Sequence, residues 1–506
     1  MNKLTVLLFL LPGIAFAQKK NDPAMFGRSI TAADLQKHLY IVAGKEMQGR
    51  ETATPGQKKA AAYIENYFSS LGLQPGNKGS YQMTYPVYRD EMISSSLEIN
   101  GSPYAINEDF QLYSLSTNNF SQYYSEVVFA GYGITDSLYD NYKDINVTGK
   151  LVMMMDGAPA SYKPSAKGGW PPSAPNMKIS NAQKRGAAAV LIIGHNFPRK
   201  QAATTGNMYK SLYRASQPLP AFFISEKIVA AITGSDWMAL EKQQTPKTYP
   251  VNVQLEYARK VNRLESSNVI GVLEGTDLKD EYVFLTSHYD HLGTRNDTTI
   301  FYGADDDGSG TVSILELAEA FAKAKAAGKG PRRSIVFMAV SGEEKGLWGS
   351  EYYTDHPLFP LEKTSVDLNI DMIGRIGQEY LADKDSANYV YIIGDDKLST
   401  DLATITDEVN AKNLRLKLDR KYNDLNDKNR FYYRSDHYNF AKKGVPIIFY
   451  FNGVHADYHR ATDTPDKINY SLMAKRAQLV FYTAWEMANR NAMLKRDILL
   501  DKPKGF

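Results

Sequence analysis

Apolar residues recur at helical spacing from Thr31 to Leu73, in "TAADLQKHLYIVAG" and "GQKKAAAYIENYFSSLGL", with Gly72 as a stop signal. Two helices are predicted there. From about Ser125 the pattern shortens to β-rich runs, "EVVFAGYGI", "KLVMMMDG", "AAVLIIGH" and "PAFFIS", separated by loops rich in Pro, Gly and Lys. This change of texture predicts a small β-rich domain inserted at 125–261. From Ser267 onward strand-like and helical runs alternate: "YVFLTS" precedes "GSGTVSILELAEAFAKA", and "SIVFMAV" precedes "LWGSEYYTD". Then come "SVDLNI", "YVYIIG" with "KLSTDLATITDEVNAK", "VPIIFYF", and a long helix from about Ser471. Such alternation implies an α/β domain, a mostly parallel (mixed) central sheet with helices on both faces, made discontinuously from 24–124 and 262–506. In sheets of this kind ligand sites lie at the carboxyl ends of the strands.

Composition narrows the function classes. The 506 residues are 43% hydrophobic and 23% charged, enough for a sizeable core. A net charge of +3, with acids and bases intermixed, provides no basic stripe for phosphates, so no nucleic-acid partner is expected. The N-terminus, "MNKLTVLLFLLPGIAFAQKK", has a lysine, an apolar run from Leu4 and a small-x-small site at Ala15-Phe16-Ala17. It predicts a signal peptide over 1–17 cleaved after Ala17, and an exported protein, periplasmic or secreted. No later run approaches the ~20 apolar residues that a membrane span needs, so no stable membrane insertion is expected. The chain has no cysteine; any metal must therefore be held by His, Asp and Glu.

The apolar strands end, one after another, in His or carboxylate: His288 and Asp290 in "SHYDHLG", Asp305 to Asp307 in "GADDDGSG", Glu343 and Glu344 in "SGEEKG". Asp371 comes next in "NIDMIGR", then Tyr458, His459 and Asp463 in "ADYHRATDT". Singly, an acid beside glycine is usually a turn residue. Gathered at successive ends of one sheet, these carboxylates repel one another unless a cation neutralises them.

The ordered set H-x-D, D-x-x-S-G, G-E-E, D-M and Y-H-x-x-x-D-T resembles metallopeptidase family 28, the co-catalytic di-zinc exopeptidases, over Ala24 to about Phe120 and from Ser267 onward. The 125–261 segment, with "GYGITDSLYDNYKDINVTGKLVMMMDGAP" and "ISNAQKRGAAAVLIIG", resembles the protease-associated domain often inserted in that family. The resemblance implies two zinc ions bridged by Asp306, one also held by His288 and Asp371, the other by Glu344 and His459. N and O donors suit zinc, and a shared carboxylate can hold two ions ~3.5–4 Å apart. Asp305 and Asp307 are alternatives for the bridge, with loop capping the simpler role for both. On the same reading Glu343 is the general base, Asp290 orients the His288 ring, and Tyr458 either donates to the oxyanion or only packs. Asp463 supports the His459 loop or caps the next turn. His291 and His455, close in sequence to ligands, are read as support rather than as ligands.

The implied activity is that of an aminopeptidase acting on peptides with a free N-terminus. A carboxypeptidase on the same scaffold needs a basic group for the terminal carboxylate, for which Arg375 and Arg434 are candidates. A non-catalytic, receptor-like homologue is the remaining alternative, although such proteins lose ligands or base and none is lost here.

Overall fold

The computed structural model describes residues 23–500, apart from 116, 138, 166–169, 214–216, 244 and 297. The signal-peptide expectation for 1–17 lies outside the described residues. The chain divides into two compact units, Met1–Tyr85 with Glu265–Phe506, and Pro86–Leu264.

In the first unit the strand order is Lys417–Asp419, Tyr389–Ile393, Ile447–Phe451, Thr364–Ile370, Leu278–His288, Arg333–Val340 and the end of Lys247–Leu273. The four inner strands from Ile447–Phe451 to Arg333–Val340 run parallel. Tyr389–Ile393 runs antiparallel to Ile447–Phe451, and 269–273 runs antiparallel to Arg333–Val340. The sheet is mixed and mostly parallel, as the alternation of runs implies.

Every residue of Arg333–Val340 and Thr364–Ile370 is buried, the mark of strands covered on both faces. Because side chains alternate, Val283, Leu285, Ile335, Phe337, Leu368 and Ile370 join one core with the helices Ala32–Val42, Gly310–Ala326 and Tyr470–Asn489. Phe284, Val336 and Met338 join another on the opposite face with Tyr353 and Phe440. Thr31 and Thr54 cap the two N-terminal helices by accepting from the amides of Asp34 and Gln57. Among the described residues no helix is long and apolar enough to cross a membrane.

The register aligns the chemistry. His288 pairs with Val340, and Thr286 with Asn369, so these strands end level and the residues just beyond them share one edge.

In the second unit the strand order is 247–257, Phe120–Phe129, Leu151–Met155, Ala189–Ile193, Ala221–Ile224 and Phe110–Leu112. Its core gathers Val127, Met153, Leu191, Phe222 and Leu255. This unit opens at Pro86, upstream of the texture change at Ser125. The long strand Gln82–Ile99 intersperses Thr84, Arg89, Asp90, Glu91 and Ser94 among its apolar residues, so its run of sequence lacks the compact apolar signature of the later strands.

Candidate metal centre

Four of the candidate residues stand where strands of the first unit end. His288 is the last residue of Leu278–His288, Asp371 comes directly after Thr364–Ile370, and Glu343 and Glu344 open a 3-10 turn just past Arg333–Val340. Asp306 lies in the irregular turn Ala304–Ser309 ahead of helix Gly310–Ala326. Gly342, at φ 75°, reverses the chain before the two glutamates, and a Cβ there would meet the Tyr85 hydroxyl at 2.6 Å. Leaving regular strand geometry lets neighbouring carboxylates face the same site, which an alternating strand forbids.

The side chains form two groups that share Asp306. His288 Nε2 lies 3.3 Å from Asp306 Oδ1, 3.6 Å from Asp371 Oδ1 and 3.8 Å from Glu343 Oε2. On the other side His459 Nε2 is 3.1 Å from both Asp306 Oδ2 and Glu344 Oε2. The structure thus brings together all five residues that the sequence nominates, with one Asp306 oxygen turned to each group.

It adds His291, whose Nδ1 is 2.8 Å from Glu344 Oε1 and 3.9 Å from Asp306 Oδ2. His291, Asp306 and Glu344 place one donor atom each within 4.8 Å of the others, as do His288, Asp306 and Asp371. The sequence alone points to a supporting role for His291. Its one signal there is its place as the second histidine of "HYDH", one residue beyond Asp290.

Asp305 and Asp307 keep to the capping role. Asp305 Oδ1 accepts from the amide of Gly374 at 2.7 Å, and Asp307 Oδ1 from those of Gly310 and Met372 at 2.8 and 3.0 Å. Asp463 does more than support its own loop: its Oδ2 accepts from the amides of Asp305 and Asp306 at 3.0 and 3.2 Å, fixing the turn that presents Asp306.

One expected contact is corrected. His288 Nδ1 donates to the Asp290 backbone carbonyl at 3.1 Å, while the Asp290 carboxylate lies 3.8 Å away. That carboxylate is engaged elsewhere, accepting from Thr52 Oγ1 at 2.7 Å and from the amide of Glu343 at 3.1 Å. Donation through Nδ1 leaves the Nε2 lone pair free for the site. Thr52 carries no local sequence signal.

Beneath the loops lies Arg50, fully buried, with donors to the carbonyls of Tyr289, Val42, Tyr302 and Gly303 at 2.7–2.9 Å. Burial lowers it to about 10, against the pull of Asp290, Asp307, Asp306 and Asp463. It stays cationic at neutral pH and offsets part of the acid charge.

The rest of that charge is uncompensated. His288 Nε2, Asp306 Oδ2, Glu344 Oε1 and both ring nitrogens of His291 are buried with no hydrogen-bond partner. Burial pushes the Glu343 carboxyl well above its usual range, reinforced by Glu344 and Asp371. Burial acts to lower His459, yet hydrogen bonds to Asp306 and Glu344 carry it up to about 10. Imidazole and carboxylate donor atoms packed this closely, several of them buried without a hydrogen-bond partner, form a set that could hold a divalent cation, and their N and O chemistry suits zinc.

Tyr458 lines the cleft with Glu343, Asp306 and Asp371, its ring stacked on that of His459 at 3.9 Å between centroids. Its hydroxyl accepts from Arg434 Nη2 at 3.1 Å, which leaves its own proton free to donate. Burial and the nearby carboxylates push its ionisation up, so it remains a donor across the working pH range.

Residues 268–484 match Peptidase family M28, and residues 121–232 match the PA domain. A probable zinc metalloprotease of Pyrenophora tritici-repentis is 26% identical over 387 residues, covering 67% of this chain and 76% of that protein. A vacuolar membrane protease of Lodderomyces elongisporus is 30% identical over 159 residues, 31% of this chain but only 15% of that longer protein. Among solved structures, an aminopeptidase from Aneurinibacillus sp. strain AM-1 superposes with a TM-score of 0.53 over 94% of this chain and 98% of its own, at 19% identity. The last is a likeness of fold.

Proposed function

We propose, from the premise that the chain belongs to peptidase family M28 and carries a PA domain, that it is a zinc-dependent aminopeptidase releasing N-terminal residues from peptides. The observation that carries this reading is the pair of converging donor groups joined at Asp306 with Glu343 beside them. His288, Asp306 and Asp371 would hold one zinc, and Asp306, Glu344 and His459 a second, with His291 against Glu344. Bound there, the metal pair supplies Lewis acidity and makes water acidic enough to be deprotonated near neutral pH.

The protein's own residues do the rest. Glu343, mostly buried where it lines the cleft and short of hydrogen-bond donors, takes a proton from the attacking water and returns it to the leaving amine. The Asp290 carboxylate holds the Glu343 amide and so sets the position of that base. Tyr458 donates its hydroxyl proton to the oxygen on which negative charge develops. No nominated ligand or base is missing, which favours catalysis over a binding-only homologue.

The test is mass spectrometry of an unblocked peptide and its N-acetylated twin after incubation with zinc-replete protein. Stepwise loss from the free N-terminus alone is expected, slowed about 10²–10⁴-fold in Glu343→Gln. Shortening from the other end would transfer the site to the carboxypeptidase reading, and no shortening to the binding-only one. Export through the 1–17 leader belongs to the same proposal, and N-terminal sequencing of the mature protein should begin at Gln18.

A further inference from the structure

Arginines in the first unit mostly have settled partners. Arg375 is paired with Asp457 at 3.0 Å and lies 3.8 Å from Asp463. Arg332 pairs with Asp277 and Arg333 with Glu281, each at 2.7 Å. Arg476 is buried and donates to the carbonyls of Tyr389, Ile373 and Arg375.

Arg434 differs. It lines the cleft that also exposes Asp306, Glu343 and Asp371, together with the apolar Phe431, Phe449 and Phe451. Its guanidinium sits 5.0 Å over the Phe431 ring, and Nη2 donates to the Tyr458 hydroxyl at 3.1 Å. The backbone beneath is anchored too, because Asn369 Nδ2 donates to Ser435 Oγ at 2.9 Å and Ser350 Oγ to the buried Asp436. No carboxylate among the described residues comes within ion-pair distance of it.

A guanidinium has five N–H donors in a rigid fork that matches a carboxylate. One of them is used by Tyr458. Arg434 is exposed at the cleft and no described carboxylate pairs with it, so its remaining N–H donors are open to an anion carried by the substrate. Peptides offer one anionic group, the carboxylate, from two sources: the C-terminus and the side chains of Asp and Glu. Since the bond to be cut must reach Glu343 in the same cleft, that carboxylate belongs to a residue flanking the bond; one extended residue spans only ~3.3–3.6 Å.

We infer that Arg434 is a specificity-determining residue that binds a substrate carboxylate next to the scissile bond, so that dipeptides with a free C-terminus, or peptides with Asp or Glu at a flanking position, are preferred substrates. This rests on the aminopeptidase reading for which bond is cut. The apolar rings of Phe431, Phe449 and Phe451 accept the neighbouring uncharged side chain, while the guanidinium fixes the charged end.

The experiment compares kcat/KM for Leu-Ala, Leu-Ala-amide, N-acetyl-Leu-Ala, Leu-Glu-amide and Glu-Ala-amide with the zinc-loaded full chain and with Arg434→Gln and Arg434→Lys. The free dipeptide should exceed its amide by about 10- to 100-fold, the worth of a charge-assisted hydrogen bond. If a side chain is the source instead, Leu-Glu-amide or Glu-Ala-amide should show that advantage over Leu-Ala-amide. Arg434→Gln should bring whichever ratio is raised down to about 1, and Arg434→Lys should restore part of it. Because Arg434 also touches Tyr458, the variants can slow all substrates; the ratio between substrates is the readout. Ratios near 1 in the native enzyme, or ratios unchanged in Arg434→Gln, would overturn the inference. Hydrolysis of N-acetyl-Leu-Ala as fast as Leu-Ala would instead sink the aminopeptidase reading, leaving the Arg434 ratio to be judged separately.

Discussion

Both units bury charge, but they settle it differently. In the second unit the buried charged side chains among the described residues are Asp90, Asp109 and Lys178. Asp90 meets Arg259 and the Tyr209 hydroxyl, Asp109 meets Lys227 at 3.0 Å, and Lys178 donates to the carbonyls of Met155 and Gly157. In the first unit His288, Asp290, His291, Asp305, Asp306, Asp307 and Asp371 are buried in one cluster, and several of their donor atoms have no partner. A fold that closes each buried charge in one region and leaves converging lone pairs in another marks where a cation belongs.

The sharpest way to break this comparison is to open a settled pair. Asp90→Ala leaves the Arg259 guanidinium, whose side chain is 12% exposed, without its anion, and should cost about 3–5 kcal/mol in urea unfolding, with or without zinc. A loss below about 1 kcal/mol would show that the pairing in the second unit is incidental. Next in size is the cation itself. Zinc at 100–1,000 times its dissociation constant should stabilise the fold by about 2.7–4.1 kcal/mol. Hydrogen exchange should slow in strands Leu278–His288 and Arg333–Val340 but not in Ala189–Ile193, and Asp306→Asn should remove the effect. Equal slowing in both units would erase the contrast.

The smallest effect concerns Lys178, settled by carbonyls rather than by an anion. Burial lowers it to about 8, with Asp156 opposing. Between pH 8 and the unfolded value of 10.5 the unfolded chain binds the extra proton, so stability should rise with pH across that window, by up to roughly 3 kcal/mol. Lys178→Met should flatten the rise. A slope that persists in the variant would assign it to other groups.

Much of the first unit is legible in the sequence because its signals are local. The apolar runs of "SIVFMAV" and "SVDLNI" are continuous, as strands buried on both faces must be, and the residues closing each run are the ones that meet. The five nominated ligands are legible through the resemblance of their ordered motifs to metallopeptidase family 28. Legibility fails where the partner is distant or belongs to the backbone. The Asp290 carbonyl outcompetes its carboxylate for His288, since Thr52 and the Glu343 amide engage the carboxylate; nothing within "SHYDHLG" announces a threonine 238 residues upstream. His291 is read only as support because its contact with Glu344 depends on how the glycine-flanked turn folds back. The start of the second unit is obscured for a similar reason, the half-polar strand Gln82–Ile99 lacking a strong apolar run.

Arg50 governs the order in which the molecule can be completed. Its four carbonyl partners belong to Val42, Tyr289, Tyr302 and Gly303, so a residue made early in synthesis waits for about 240 more before its charge is solvated by protein. Long-range closures of this kind slow folding, because loop entropy is lost before any contact compensates for it. A fragment trimmed to the family-matched 268–484 would carry every nominated ligand and still lack the guanidinium that ties the Tyr302–Gly303 backbone to that of Tyr289. The early segment therefore acts as a latch on the backbone beside His288 and Asp306, and a chain lacking it is expected to hold its metal ligands less firmly.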